Sequence, residues 1–422
     1  MTSSPVWHPF TQHALQPTAI EIMRGEGAWL ETREGTRLLD MISSWWVVTH
    51  GHRHPRIVQA IKDQADLLAQ VILAGFTHAP AEELARRLIA RLNSSLAHVF
   101  YSDSGSTSVE VALKMALGFW RNQGEQRTKI IALEHAYHGD TIGTMSTGAR
   151  GVFNSAYDPL LFDVVRLPFP HEGCEAATLD ALSRACADGA AAALLVEPLL
   201  LGAGGMLTYA PPVLRAMHAI CAASGTLFIA DEVMTGFGRT GTFLACEQAG
   251  VTPDILCLAK GITGGSLPLA VTLCQAAIFD AHYSRDRAKT FFHSSSYTAN
   301  PIACAAAVAN MDVWDTEPVI DRIAQISQWH SGFLDRFRTD SRFSGIRHCG
   351  TIAALDLRVA DEGYLAGIGP SLYDFFLACG LLLRPLGNTI YLMPPYCVTE
   401  DELGRAYAAI AEAADTFGRG AS

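Results

Sequence analysis

Apolar residues along this chain follow two rhythms. In the first hundred residues they recur at helical spacing: His54–Val71 and Ala81–Leu92 read as helices, the second with Leu84, Leu88, Ile89 and Leu92 on one face. After that come short apolar runs without polar alternation: Ala97–Tyr101, Ile130–Leu133, Ala191–Val196, Leu227–Ala230, Ile255–Ala259 and Leu269–Leu273. Helical stretches such as Thr107–Arg121 and Pro212–Ser224 separate several of them, and Gly225 stands where a helix-ending glycine belongs. Strands apolar on both faces and spaced by helices predict an α/β fold with a mostly parallel central sheet, covered on both sides.

Beyond Asn300 an Ala-rich helix, Pro301–Trp314, leads into a more charged region with Ile352–Leu357 and Thr389–Leu392 as candidate strands. This predicts a second, smaller α+β domain.

Composition narrows the partners. With 422 residues, 49% hydrophobic and 17% charged, the chain can bury a large core, which excludes disorder for most of it. The 31 Lys+Arg against 42 Asp+Glu leave a net charge of −11 with no basic run, which argues against nucleic acid or an anionic membrane and for small molecules. The start MTSSPVWHPFTQH has no basic region followed by an apolar stretch, and no apolar run approaches a membrane span. Ten cysteines without a C-x-x-C pair read as thiols buried in a reducing compartment. A cytoplasmic protein is expected.

The chemistry collects at strand ends. Only five residues are lysine, and Lys260 alone ends a buried run and precedes Gly261-Ile262-Thr263-Gly264-Gly265. Open α/β sheets place ligands at the carboxyl ends of their strands, and an amine held there is easily deprotonated and can form a Schiff base. The plainer alternative is a strand-end lysine reaching solvent. Thr226–Ala230 ends in Asp231-Glu232; a buried carboxylate needs a cationic partner, such as the protonated ring nitrogen of pyridoxal phosphate, unless Asp231 merely caps the following turn. Tyr101-Ser102-Asp103-Ser104-Gly105-Ser106-Thr107 offers small hydroxyl residues and a glycine at a helix N-terminus, suited to a phosphate or else to ordinary capping by Ser106 or Thr107. A fourth strand ends at Glu197-Pro198.

Competing motifs are weak. Gly202-Ala203-Gly204-Gly205 lacks the third glycine of a dinucleotide fingerprint, and no Walker A, G-x-S-x-G or H-E-x-x-H pattern occurs. His50, His52 and His54 alternate but have no fourth ligand nearby, so they read as a loop cluster and no metal site is assigned.

Nearly the whole chain resembles the class III pyridoxal-phosphate aminotransferases of fold type I, most specifically over LFIADEVMTGFGRTGTFLACEQAGVTPDILCLAKGITGG at 227–265. WHPFTQ at 7–12, SSWWVVTHGH at 43–52, DSGSTSVEVALKMA at 103–116, AYHGDT at 136–141, EPLLLGAGGM at 197–206 and LRPLGNTIYLMPPY at 383–396 select a subgroup. That subgroup takes S-adenosylmethionine as amino donor and 8-amino-7-oxononanoate as acceptor. The resemblance implies a pyridoxal 5'-phosphate cofactor, a homodimer with shared active sites, and three regions. These are an N-terminal segment, 1–52, packing with the small domain and active site, a large cofactor-binding domain, 53–305, and a small C-terminal α+β domain, 306–422.

Residue by residue, the resemblance makes Lys260 the amine that bonds the cofactor and shuttles protons, and Asp231 the partner of the pyridine nitrogen. Gly105 and Ser106 hold the phosphate, Tyr137 stacks on the ring and Glu197 joins the surrounding network. Trp45 and Trp46 wall the substrate cleft, Arg384 pairs with the acceptor carboxylate, and Arg239 is a second candidate for that contact. Two departures stand out. Phe10 replaces a tyrosine common in the family, removing a hydroxyl from the substrate site. HSSSYTAN at 293–300 replaces an H-G-P-T form, leaving Ser296 where a threonine reaches the neighbouring subunit's phosphate. Other readings are an ω-amino acid:pyruvate aminotransferase, lysine as amino donor, or a non-catalytic protein that binds the cofactor.

Overall fold

Seven strands lie side by side in the order Leu96–Ser102, Ala270–Gln275, Ile255–Leu258, Leu227–Asp231, Ala191–Val196, Lys129–Leu133 and Val165–Leu167. All run one way except Ala270–Gln275, which is antiparallel to both neighbours. This is a computed structural model, and it describes residues 4–16, 18–92, 94–360 and 363–418.

The absence of polar alternation has its expected cause. Along Ala191–Val196 every residue is buried; Leu194 and Val196 enter one apolar cluster, while Ala193 and Leu195 enter another on the opposite face. Burying each leucine contributes about 1.5–3 kcal/mol, so a charge at either position opposes folding from whichever face it points to. The run at Leu269–Leu273, grouped above with the parallel strands, is the reversed one. Only residues 259–269 separate it from Leu258, too short a connection for a covering helix and a parallel return.

Helix ends follow the sequence with two shifts. Ser104, rather than Ser106 or Thr107, caps the helix Gly105–Gln123: its Oγ accepts from the Thr107 N–H at 3.2 Å, and Thr107 Oγ1 accepts from the Ser104 N–H at 3.0 Å. That leaves Ser106 free for another role. Gly225 closes Pro211–Ser224 at φ +68°, in the left-handed region. The predicted helix 54–71 stops at Leu67, where Leu68 turns extended.

The strands Ile22–Glu26, Trp29–Thr32 and Arg37–Asp40 form a second sheet joined by Leu381–Leu382, so the N-terminal segment is stitched to the C-terminal part of the chain. A third, antiparallel sheet holds Phe343–Cys349, Ile352–Leu357 and Thr389–Leu392, the last two with the predicted bounds. Among the described residues no helix is long and apolar enough to cross a membrane.

Candidate active site

The parallel strands deliver their carboxyl ends to one cavity of about 430 Å³. It is lined by Ser104–Ser106 after the first strand, Tyr137 and His138 after the second, Glu197 after the fourth, Asp231 closing the fifth and Lys260 beyond the sixth, with Trp46 on the N-terminal side. The convergence expected from the sequence is present.

Lys260 begins a short 3-10 turn, Lys260–Thr263, at φ +46°. Its Nζ lies 4.7 Å from the centre of the Trp46 ring. Loss of water around the amine pulls its pKa from 10.5 down to about 8, opposed by Asp231 and Glu197, which favour the charged form. Such an amine exchanges protons near neutral pH.

Asp231 is buried and uses both oxygens. Oδ2 lies 2.7 Å from Nδ1 of the buried His138, and Oδ1 accepts from the Val233 N–H at 3.1 Å. Turn capping and a poised carboxylate are therefore the same residue. Glu197, also buried, accepts from the N–H groups of Tyr137 and Gly202, each at 3.0 Å. Desolvation, reinforced by the Asp231 charge, outweighs the pull of His138 and of these donors, and raises the Glu197 pKa to about 7. Glu197 thus anchors the loop that carries the Tyr137 ring.

The helix N-terminus makes a compact cradle. Ser106 Oγ accepts from the Asp140 N–H at 3.1 Å, and a Cβ on Gly139, whose φ is +130°, would come within 1.9 Å of that oxygen. A Cβ on Gly105 would reach 2.5 Å from Val233 Cγ1. The N–H groups of Gly105 and Ser106 precede the first intrahelical bond, made by Ser108 N–H to Ser104 O, and so face outward where an anion is favoured.

The tandem tryptophans part company. Trp46 is buried, donates from Nε1 to Tyr391 Oη at 2.9 Å and walls the Lys260 cavity. Trp45 is 44% exposed and stands outside that cavity, its ring 5.6 Å from Phe10 and 5.5 Å from the Arg384 guanidinium. Arg384 donates to the Phe10 carbonyl at 2.7 Å, and both line a second cavity of about 540 Å³. Phe153 joins the two regions, ring to ring with Phe10 at 6.0 Å and with Tyr137 at 6.2 Å.

Arg239 is a correction. It was expected as a carboxylate contact, but it is 1% exposed and donates to the carbonyls of Pro394, Val48 and Trp46 at 3.0, 3.0 and 3.4 Å. Its two Nη groups fasten the Trp46 loop to the C-terminal region, while Nε, also buried, has no hydrogen-bond partner among the described residues. Ser296 is exposed, away from its own chain's cavity, with its carbonyl accepting from Gln70 Nε2 at 2.8 Å. The three alternating histidines diverge to Asn310, Asp40 and Glu317. Sequence reasoning missed His138, whose only signal was its place beside Tyr137 in AYHGDT, and Tyr391 within YLMPPY.

Comparison with known proteins places this geometry. The family model described as aminotransferase class-III matches residues 10–414. The adenosylmethionine-8-amino-7-oxononanoate aminotransferase of Synechococcus elongatus is 47% identical over 98% of this chain and 100% of its own length, and that of Nitratidesulfovibrio vulgaris 41% over 96% and 79%. The crystal structure of the enzyme of that name from Methanocaldococcus jannaschii superposes with a TM-score of 0.93 at 33% identity, covering 98% of this chain and 97% of that one. A PLP-bound amine transaminase from an uncultivated Pseudomonas species gives 0.93 at 33%, over 99% and 100%.

Proposed function

The chain belongs to the class-III aminotransferases, and on that premise we propose that it transfers an amino group from S-adenosylmethionine to the ketone of 8-amino-7-oxononanoate. The product is 7,8-diaminononanoate, in biotin biosynthesis, and the cofactor is pyridoxal 5'-phosphate. The observation that carries the reading is the end-to-end similarity to relatives named for this reaction, at up to 47% identity.

The residues fit the cofactor. The Gly105–Ser106 cradle, closed by Gly139, suits a phosphate; the Tyr137 ring offers an aromatic face, Asp231 an anion for a protonated ring nitrogen, and Lys260 an amine. When bound, the cofactor supplies an aldehyde that takes up the amino group and later returns it, and a ring that accepts the electron pair freed at the substrate carbon.

In this reading Lys260 Nζ takes the proton from the carbon that bears the donor's amino group and delivers one to the acceptor carbon. Its pKa of about 8 keeps both forms available near neutrality. Asp231, oriented by His138, holds positive charge on the ring. Trp46 screens the amine from water. Arg384, framed by Trp45 and Phe10, binds the acceptor's carboxylate in the adjoining cavity.

Residues 53–305 serve as the cofactor-binding domain: all of the cavity lining except Trp46 and Val47 falls within them. The N-terminal segment and 306–422 supply the acceptor side. We assign a homodimer in which Ser296 reaches the neighbouring subunit's phosphate, and a cytoplasmic setting in keeping with ten free thiols.

The similarity to amine transaminases favours a second reading, an ω-amino acid:pyruvate aminotransferase. Absorbance of the loaded protein separates them. S-adenosylmethionine alone should discharge the lysine-dependent band and 8-amino-7-oxononanoate restore it; discharge by ω-amino acids but not by S-adenosylmethionine would select the second reading.

A further inference from the structure

Lys260 owes its direction to a backbone conformation that an L-residue adopts reluctantly, φ +46°, at the head of a four-residue turn with no side-chain cap at its start. Something must hold that turn. On its far side, within the Ala-rich helix Pro301–Thr316, stands one fully buried amide, Asn310. Its Nδ2 donates to the carbonyls of Gly261 and Ile262, both at 3.0 Å. Only a nitrogen can serve two carbonyls, so Oδ1 faces the other way, and there it meets Nε2 of buried His50 at 2.8 Å. His50 must therefore carry its proton on Nε2 and donate it; its Nδ1 has no hydrogen-bond partner.

His50 lies four residues beyond Trp46, and the same loop bonds the turn a second time, Thr49 N–H to Gly264 O at 3.4 Å. The fit at this crossing is close: a Cβ on Gly265 would come within 2.6 Å of the Val47 carbonyl oxygen, and one on Gly264 within 2.6 Å of Ile57 Cδ1. The amide thus joins the two elements that face each other across the cavity, the turn bearing Lys260 and the loop bearing Trp46.

We propose that Asn310 and His50 are positioning residues for Lys260, a relay outside the cavity that fixes the turn through its carbonyls and sets its place against the Trp46 loop. This rests on Lys260 being the cofactor-bearing amine. The relay itself is a property of the chain and can be read without turnover.

The test is amide hydrogen exchange across residues 258–266 in the full-length protein, with and without bound cofactor, in Asn310→Leu, His50→Leu and His50→Gln. A second readout is the rate at which cofactor-free protein takes up added pyridoxal phosphate into the lysine-dependent absorbance band. Leaving buried carbonyls or Oδ1 unpaired should raise exchange in this segment about tenfold or more in both leucine variants, while the central strands stay protected. Uptake should slow in the same rank order. His50→Gln keeps a donor for Oδ1 and should recover most of the effect. If Asn310→Leu disrupts the whole fold, the contrast between the two His50 variants decides. Unchanged exchange in 258–266 after His50→Leu, equal change in His50→Gln and His50→Leu, or a uniform rise over the sheet would overturn the proposal. Failure of the wild-type protein to form any lysine-dependent band would instead overturn the assignment of Lys260.

Discussion

Asp231 Oδ2 and His138 Nδ1 are 2.7 Å apart in a pocket where both side chains are nearly sealed from solvent. A carboxylate so placed is fixed by hydrogen bonds, with the imidazole at one oxygen and the Val233 N–H at the other, and stays aimed at the cavity. Asp231→Asn preserves the shape but not the charge. In single-turnover absorbance measurements the donor half-reaction should slow about 10²–10³-fold. His138→Phe, which leaves the charge but removes its orienting partner, should cost about tenfold to a hundredfold. A near-normal rate in Asp231→Asn would contradict the role given to the carboxylate.

If Arg384 binds the acceptor carboxylate as proposed, it separates the two substrates. It stands beside Trp45 and Phe10 at the second cavity, off the wall around Lys260, so it can meet the far end of a long acceptor. Arg384→Ala should raise KM for 8-amino-7-oxononanoate about 10–100-fold and KM for the donor by less than about threefold. Steady-state kinetics with each substrate varied in turn checks this. An equal rise for both would remove Arg384 from the acceptor site.

Parts of this site stand out in the sequence and parts do not. Glu197, Asp231 and Lys260 were legible because each directly follows or closes an apolar run, and a strand buried on both faces announces where its end must lie. Arg239 was named as a carboxylate contact by resemblance alone; its burial against Pro394 and Val48, far away in sequence, has no local signal. Three hydroxyl residues near Gly105 hid which one caps the helix. The strand Ile22–Glu26 is mostly exposed and Val165–Leu167 has three residues, so neither carries a burial rhythm, and Phe343–Cys349 is an edge strand with irregular register.

Two buried histidines should make the protein acid-sensitive. His330, bonded to Tyr407 Oη and Thr351 O, and His50 are each pushed from an ordinary 6.5 down to about 3 by burial. Between those values the unfolded chain binds protons that the folded chain does not. Their contribution is therefore complete above about pH 6.5 and is lost as pH falls toward 3, at up to about 1.4 kcal/mol per pH unit for each. Glu197 works oppositely between 4.5 and about 7, its folded form holding a proton, but it is common to wild type and variant and cancels in the comparison. His330→Gln should flatten the decline in urea-unfolding free energy between pH 6.5 and 4.5. Parallel profiles would contradict the buried neutral histidine.

Sharing of sites across a dimer is open to complementation. If Ser296 reaches the neighbour's phosphate as proposed, Ser296→Asp places a negative charge against it and should expel the cofactor, so this variant and Lys260→Ala should each be inactive as homodimers. Co-expressed, they form heterodimers in which one site draws intact Lys260 from one chain and intact Ser296 from the other. Activity well above either parent is expected. No recovery despite verified heterodimers would remove Ser296 from the neighbour's site.

The reaction moves one nitrogen atom from donor to acceptor, and isotopic labelling follows that atom. Loaded protein is supplied with S-adenosylmethionine labelled with ¹⁵N at its amino group, together with unlabelled 8-amino-7-oxononanoate, and the diamine product is analysed by mass spectrometry. One ¹⁵N is expected in each product molecule, on the carbon that was the ketone, and no product when Lys260→Ala replaces the wild type. A product that forms without label, or that forms only when lysine or an ω-amino acid is added, would contradict this transfer.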